Sequence, residues 1–90
     1  MNSEDKKAKI FKVLSVGTRI QIIELLKEHS LCVNALSRKL EVTPAAVSQH
    51  LRILRDADLV IAEKKGYFVH YRINEQTLAN WFDAAKELFE

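Results

Sequence analysis

TPAAVSQHLRILRDA, residues 43–57, is the stretch whose reading decides the fold. Thr43 is a hydroxyl residue able to cap a helix, and Pro44 follows at the first helical position, where a missing N–H costs nothing. Val47, Leu51 and Leu54 recur at i, i+4 and i+7, so one face of the helix turns toward a core. The other side carries Ala45, Ser48, Gln49, Arg52 and Arg55. Glu and Lys would serve solubility equally well. This surface instead begins small and neutral and then adds amide and guanidinium groups, as suits close approach to base edges and phosphates. The stretch reads as a DNA-recognition helix.

Outward from it, Val33, Leu36 and Leu40 at i, i+3 and i+7 mark a short preceding helix, separated from the cap Thr43 only by Glu41 and Val42. Two short helices with so tight a joint read as a helix-turn-helix. One residue of such a turn often needs positive φ, and with no glycine present Glu41 or Val42 must take it, at ~1–2 kcal/mol of local strain. After Ala57 the apolar period changes from 3.6 to 2. Residues 59–64 and 67–73 are β-rich runs joined at Lys65-Gly66, where Gly66 supplies the positive φ of a tight hairpin. In the second run Tyr67, Val69, Tyr71 and Ile73 share one face, and Phe68, His70 and Arg72 the other. A helix-turn-helix followed by a basic-tipped hairpin is a winged helix. The expected fold is therefore mainly α with a β-hairpin wing: five helices plus a two-stranded antiparallel wing.

The remaining helices lie at the two ends. Ser3 is placed to cap a first helix running to about Leu14, with Glu4 and Asp5 near its positive end and an apolar stripe of Ile10, Phe11, Val13 and Leu14. Thr18 with Gln21 has the form of a capping box for a second helix, whose Ile20, Ile22, Ile23, Leu25 and Leu26 crowd one broad face until His29 and Ser30 end it. Asn74 is the expected cap of the last helix, where Leu78, Trp81, Phe82, Ala85, Leu88 and Phe89 form an amphipathic stripe. That stripe, with Phe11 and Leu14, either covers the core of one chain or pairs the first and last helices (about 3–15 and 75–89) across a two-fold axis. The second reading is favoured because 90 residues enclose little core. A two-fold dimer also presents two recognition helices to a palindromic operator.

Composition bounds the remaining possibilities. With 48% hydrophobic and 29% charged residues the chain is globular, and residues 1–90 read as a single domain. The lone Cys32 cannot form an internal disulfide, and no segment reaches 18 uninterrupted apolar residues. The opening MNSEDKKAK offers no apolar run for a signal peptide, so a cytoplasmic location without membrane association is expected. The net charge of +2 is unevenly placed: residues 1–73 hold 13 Lys/Arg against 8 Asp/Glu, and residues 74–90 one Lys against 4 acids. The body is basic and the last segment acidic, which permits a phosphate-facing side.

The candidate DNA-contacting residues are Thr43, Pro44, Ala45, Ser48, Gln49, His50, Arg52 and Arg55 on the recognition helix and its cap, with Lys64, Lys65, Tyr67 and Arg72 on the wing. Three of these residues keep a plainer reading open. His50 either touches DNA or packs at the helix–helix joint, and Lys64 and Lys65 either meet the DNA backbone or decorate a solvated turn. His70 reads as a solvated wing residue.

The run from Val13 to Ile73 resembles the ArsR/SmtB family of bacterial and archaeal winged-helix repressors. The resemblance rests on the LCVNAL segment, the TPAAVSQHLRIL helix, the Leu59-Val60 start of the hairpin and the G-Y-x-V-x-Y-R wing. It implies a homodimeric repressor whose DNA affinity an inducer changes, with the terminal helices as dimerisation helices. Many members sense metals through a Cys-Val-Cys box near the start of the third helix or through Asp and His in the last helix. Here the box reads Cys32-Val33-Asn34, an amide in place of a soft thiolate ligand, and residues 75–90 contain Asp83, Glu87 and Glu90 but no His. Neither set is intact, so no metal or other cofactor is expected and the inducer is unknown. His29 and Cys32, three apart, form at most a partial site, and the plain reading of Cys32 is a small buried apolar residue.

Other functions have less support. No glycine-rich phosphate loop or nucleophile–base signature points to an enzyme. A winged helix serving protein–protein interaction is the stronger alternative, and a redox- or metal-responsive repressor using Cys32 is another. Arg52 and Arg55 on the recognition face favour DNA over a protein-only role.

Overall fold

A computed structural model describes residues 2–90. In chain order the elements are α1 (Ser3–Leu14), α2 (Gly17–Glu28), β1 (Leu31–Cys32), α3 (Val33–Leu40), α4 (Pro44–Asp56), β2 (Val60–Lys65), β3 (Phe68–Ile73) and α5 (Glu75–Leu88). Five helices and the β2–β3 wing match the sequence reading. The two-residue strand β1 is an addition: it pairs antiparallel with β3, giving a three-stranded sheet in the order β1-β3-β2. So short a segment carries no alternation of its own, and pairing with a neighbour defines it.

The core lies where α2, α3 and α4 meet the base of the sheet. Ile22, Leu36, Val47, Leu51, Leu54, Leu59 and Val60 are the fully buried side chains, and Val13, Ile23, Leu26 and Ile73 complete the cluster. Val47, Leu51 and Leu54 thus do bury one face of α4, and Ile22, Ile23 and Leu26 that of α2. Ile20 does not join them. At 41% exposure it sits on the opposite side of α2, two residues from Ile22 and so far around the helix.

Two helix starts differ from expectation. Asn2, not Ser3, caps α1, its Oδ1 accepting from the Asp5 N–H at 2.8 Å. Ile10 and Val13 are the residues that α1 buries. The Thr18–Gln21 capping box does not form. Val16 occupies the N-cap of α2 without a side-chain bond, and its carbonyl accepts from the N–H groups of Arg19 and Ile20. The caps at Thr43 and Asn74 form as expected, accepting from Ala46 N–H at 3.1 Å and Thr77 N–H at 3.3 Å.

Candidate nucleic-acid interface

The α3–α4 turn sets the angle at which the recognition helix leaves the body. Glu41 takes the left-handed conformation, with φ 56° and ψ 40°. The strain is offset locally. The Ser37 carbonyl accepts from Val42 N–H at 3.3 Å, the wrapped end common to left-handed helix caps, and the Ser37 hydroxyl donates to the Val42 carbonyl. A buried Leu36 and a half-buried Val42 fix the joint from below.

With Val47, Leu51 and Leu54 buried, the opposite side of α4 is presented outward. Thr43, Pro44, Ala45, Ser48, Gln49, Arg52 and Arg55 are all exposed. Among the described residues none of these side chains from Ala45 onward is held in an ion pair. His50 lies at the edge of this surface, half-buried, and its Nδ1 is enclosed without a hydrogen-bond partner. The packing reading therefore accounts for much of its ring.

The far end of α4 is fastened to the wing by a second left-handed residue. Asp58 has φ 64°; its N–H donates to the Arg55 carbonyl and Leu59 N–H to the Leu54 carbonyl, each at 2.9 Å. These two bonds and the burial of Leu54 against the core with Leu59 make a Schellman stop. The Asp58 carboxylate also accepts from the Thr77 hydroxyl at 3.3 Å, and Asn74 N–H donates to the Leu59 carbonyl at 2.8 Å. Recognition helix, wing and α5 are thus tied at one point. Neither Asp58 nor Ser37 stood out in the sequence, although an Asp followed by an apolar residue after a helical run is an available signal for such a stop.

In the wing, Lys65 pairs with Phe68, so the loop consists of Gly66 and Tyr67, one residue later than expected, with Gly66 at φ 64°. Burial falls off along both strands toward this tip because the hairpin runs out past the body. Lys64 and Lys65 are exposed, Tyr67 fully so, and Phe68 is 59% exposed. Arg72 lies nearer the base, where its Nε donates to the Glu63 carboxylate. Half of its side chain remains open to solvent, but its charge is partly balanced within the sheet. His70 is half-buried rather than fully solvated: Cys32 stands opposite it across the β1–β3 ladder and its Nδ1 is enclosed without a partner. Cys32 is itself only half-buried, and His29 is exposed. Among the described residues no three His, Cys, Asp or Glu side chains gather as a metal site.

The terminal helices meet through the Lys7–Glu87 pair at 3.3 Å. Leu14, Leu78 and Trp81 are half-buried against the core of their own chain, and Ala85 is half-buried. The other members of the stripe are open: Phe11 is 39% exposed, Leu88 58%, Phe82 65% and Phe89 79%. No helix is long and apolar enough to cross a membrane.

Residues 17–62, running from α2 through the helix-turn-helix into the start of the first wing strand, match the sequence pattern of the arsR family of bacterial regulatory proteins. The chain belongs to the ArsR family. It is 31% identical over 75 residues to the transcriptional repressor SdpR of Bacillus subtilis, covering 80% of this chain and 83% of that one. To the arsenical resistance operon repressor of Escherichia coli it is 39% identical over 66 residues, 72% of this chain but 56% of that one. The chain thus spans little more than half the length of some relatives it matches. Among solved structures, the homodimeric winged helix-turn-helix DNA-binding domain of a possible ArsR-family regulator from Mycobacterium bovis superposes with a TM-score of 0.76. It is 28% identical, over 96% of this chain and 81% of the other. This ArsR-family chain is a winged helix-turn-helix regulator, and its family is one of transcriptional regulators rather than enzymes.

Proposed function

We propose that this ArsR-family protein is a homodimeric transcriptional repressor that binds a palindromic operator, with α4 in the major groove and the wing on the flanking backbone. The observation that carries the reading is the surface of α4: three apolar residues fully buried on one side, and on the other an exposed run of small, amide and guanidinium side chains. In the geometry of helix-turn-helix proteins, the N-terminal part of the recognition helix meets base edges. Ser48 and Gln49 occupy that part here, while Arg52, Lys64 and Lys65 hold phosphates. The exposed aromatic and aliphatic residues of α1 and α5 supply the dimer contact, and the similar Mycobacterium bovis domain is itself homodimeric.

The test is to footprint the DNA upstream of the protein's own gene and measure binding to the protected site over a range of salt. Phosphate neutralisation requires affinity to fall steeply as salt rises, with the protected site far tighter than random DNA. Binding without preference, or without salt dependence, would return the winged helix to a protein-interaction role.

A further inference from the structure

Arg19 is the charged side chain buried among the described residues, at 8% exposure. Its Nε donates to the Val13 carbonyl at 2.6 Å and its Nη2 to the Lys12 carbonyl at 3.3 Å. These carbonyls end α1, where the helix dipole favours a cation. They are neutral groups, however, and among the described residues no carboxylate pairs with this guanidinium and no hydrogen bond engages Nη1. A cap for α1 needs only the two bonds made, and Nη1 is not enclosed, so the guanidinium keeps its charge and free N–H donors to offer at its outer end. The same side chain lines a groove of about 690 Å³ between α1, the start of α2 and the last turns of α4. Ala8, Val13, Ile53 and Ala57 make its walls apolar, while Lys9 and Lys12 stand with Arg19 against a single acid, Asp56.

We propose that this groove is an effector site for a small carboxylate with an aromatic or branched apolar body. The inference rests on reading the chain as a DNA-binding regulator. Its volume lies in the range of small-molecule sites, and apolar walls with a few convergent polar groups are their usual lining. Three cations against one carboxylate leave the groove net positive, and low-dielectric walls focus that charge on an entering anion. Guanidinium and carboxylate match in shape, which favours a carboxylate over a neutral ligand of the same body. Ile53 belongs to the recognition helix, and Ala8, Lys9, Lys12 and Val13 to a helix of the proposed dimer contact. A body wedged between them alters the angle of α4 to the dimer axis, and so the separation of the two recognition helices. The ligand shifts operator affinity only as far as it prefers one of those angles.

The experiment follows backbone amide shifts by NMR during titration of the full chain with phenylacetate and 1-naphthoate, and with the corresponding amides. The expected result is saturable shifts centred on Val13, Arg19, Ile53 and Ala57, with the neutral amides roughly ten- to a hundredfold weaker, the range of a charge-assisted contact. Arg19→Gln should lose the same factor. Because that variant touches a buried site, Ile53→Trp is the second: it fills the groove from an exposed position, should abolish carboxylate binding, and should leave an operator affinity, whatever its value without ligand, that no longer responds to added acid. Absence of shifts with either acid, shifts centred elsewhere, or equal binding of acid and amide would overturn the site. Saturable binding that leaves operator affinity unmoved would overturn its effector role. Operator binding without any acid is scored separately, so a chain that binds the operator and no carboxylate sinks this site alone. One that binds carboxylate and no specific DNA sinks the regulator reading instead.

Discussion

Gln49 stands exposed on the second turn of α4, next to Ser48 and beyond the small Ala45, with no charged side chain between it and the helix start. An amide there offers a donor and an acceptor together, the pair that adenine presents in the major groove, so Gln49→Ala should cost ~1–3 kcal/mol on the operator and relax preference at one position. Equal weakening on operator and random DNA, measured by fluorescence anisotropy, would remove it from base reading. Lys65 is different in kind. It is an exposed cation at the wing tip, so Lys65→Ala should weaken all sequences alike and flatten the dependence of affinity on salt by about one phosphate contact. Arg72, engaged with Glu63, should change the salt slope less than Lys65 when each is replaced by Ala. Cys32 provides one thiolate per chain, faces His70 across the ladder and has Asn34 where a second thiol would complete a box. Zinc, cadmium and arsenite should therefore leave operator affinity unchanged under reducing conditions. A large metal-induced loss that disappears in Cys32→Ser would reveal a site completed across subunits.

Among the elements, the α3–α4 joint is where local strain is most exposed to test. Glu41 is solvent-exposed at φ 56°, so its side chain contributes little packing while its Cβ opposes the backbone conformation. Glu41→Gly should raise stability by up to ~1 kcal/mol, the relieved strain being partly cancelled by the freer unfolded chain, and Glu41→Val should lower it by ~1 kcal/mol or more. Urea denaturation curves should therefore order the variants Gly, Glu, Val, and the reverse order would place the joint's strain elsewhere. The need for positive φ at this joint was legible because the spacing of Leu40 and Thr43 left two residues to make the turn. The apolar periods of α3 and α4, and that of α2 apart from Ile20, were legible for a similar reason, since burial of one face dictates residue type at fixed intervals. What escaped depends on neighbours that no local pattern names. Asn2 and Ser3 are adjacent and comparable as caps, so local sequence does not choose between them. The Thr18–Gln21 box gave way because α2 already begins at Gly17 and Arg19 turns back to the end of α1. β1 exists only because β3 lies beside it, and that same pairing sets Cys32 opposite the half-buried His70.

At the scale of the whole molecule, the exposed apolar face of α1 and α5 bears on assembly. The monomer measures 43 × 23 × 22 Å. Two copies joined through their terminal helices can set recognition helices about 34 Å apart, one turn of DNA. The stripe read from sequence divides in the structure. Leu14, Leu78 and Trp81 are committed to their own core, whereas Phe11, Phe82, Leu88 and Phe89 project from it. Fully burying such a side chain is worth about 1.5–3 kcal/mol, and several from each copy stand against the entropic cost of association. A charge placed among them would have to be buried unpaired, so Phe82→Glu should turn the dimer into a monomer without unfolding it. The expected outcome is a dimeric wild type and a monomeric Phe82→Glu by analytical ultracentrifugation, with the same helical circular dichroism and operator affinity reduced at least tenfold because one recognition helix binds alone. Phe11→Ala with Trp81→Ala should behave differently and lose structure as well as assembly, because Trp81 packs on the core of its own chain. A wild type that sediments as a monomer at high micromolar concentration would leave these rings without the role argued for them. A Phe82→Glu variant that stays dimeric would move the interface to another face of the molecule.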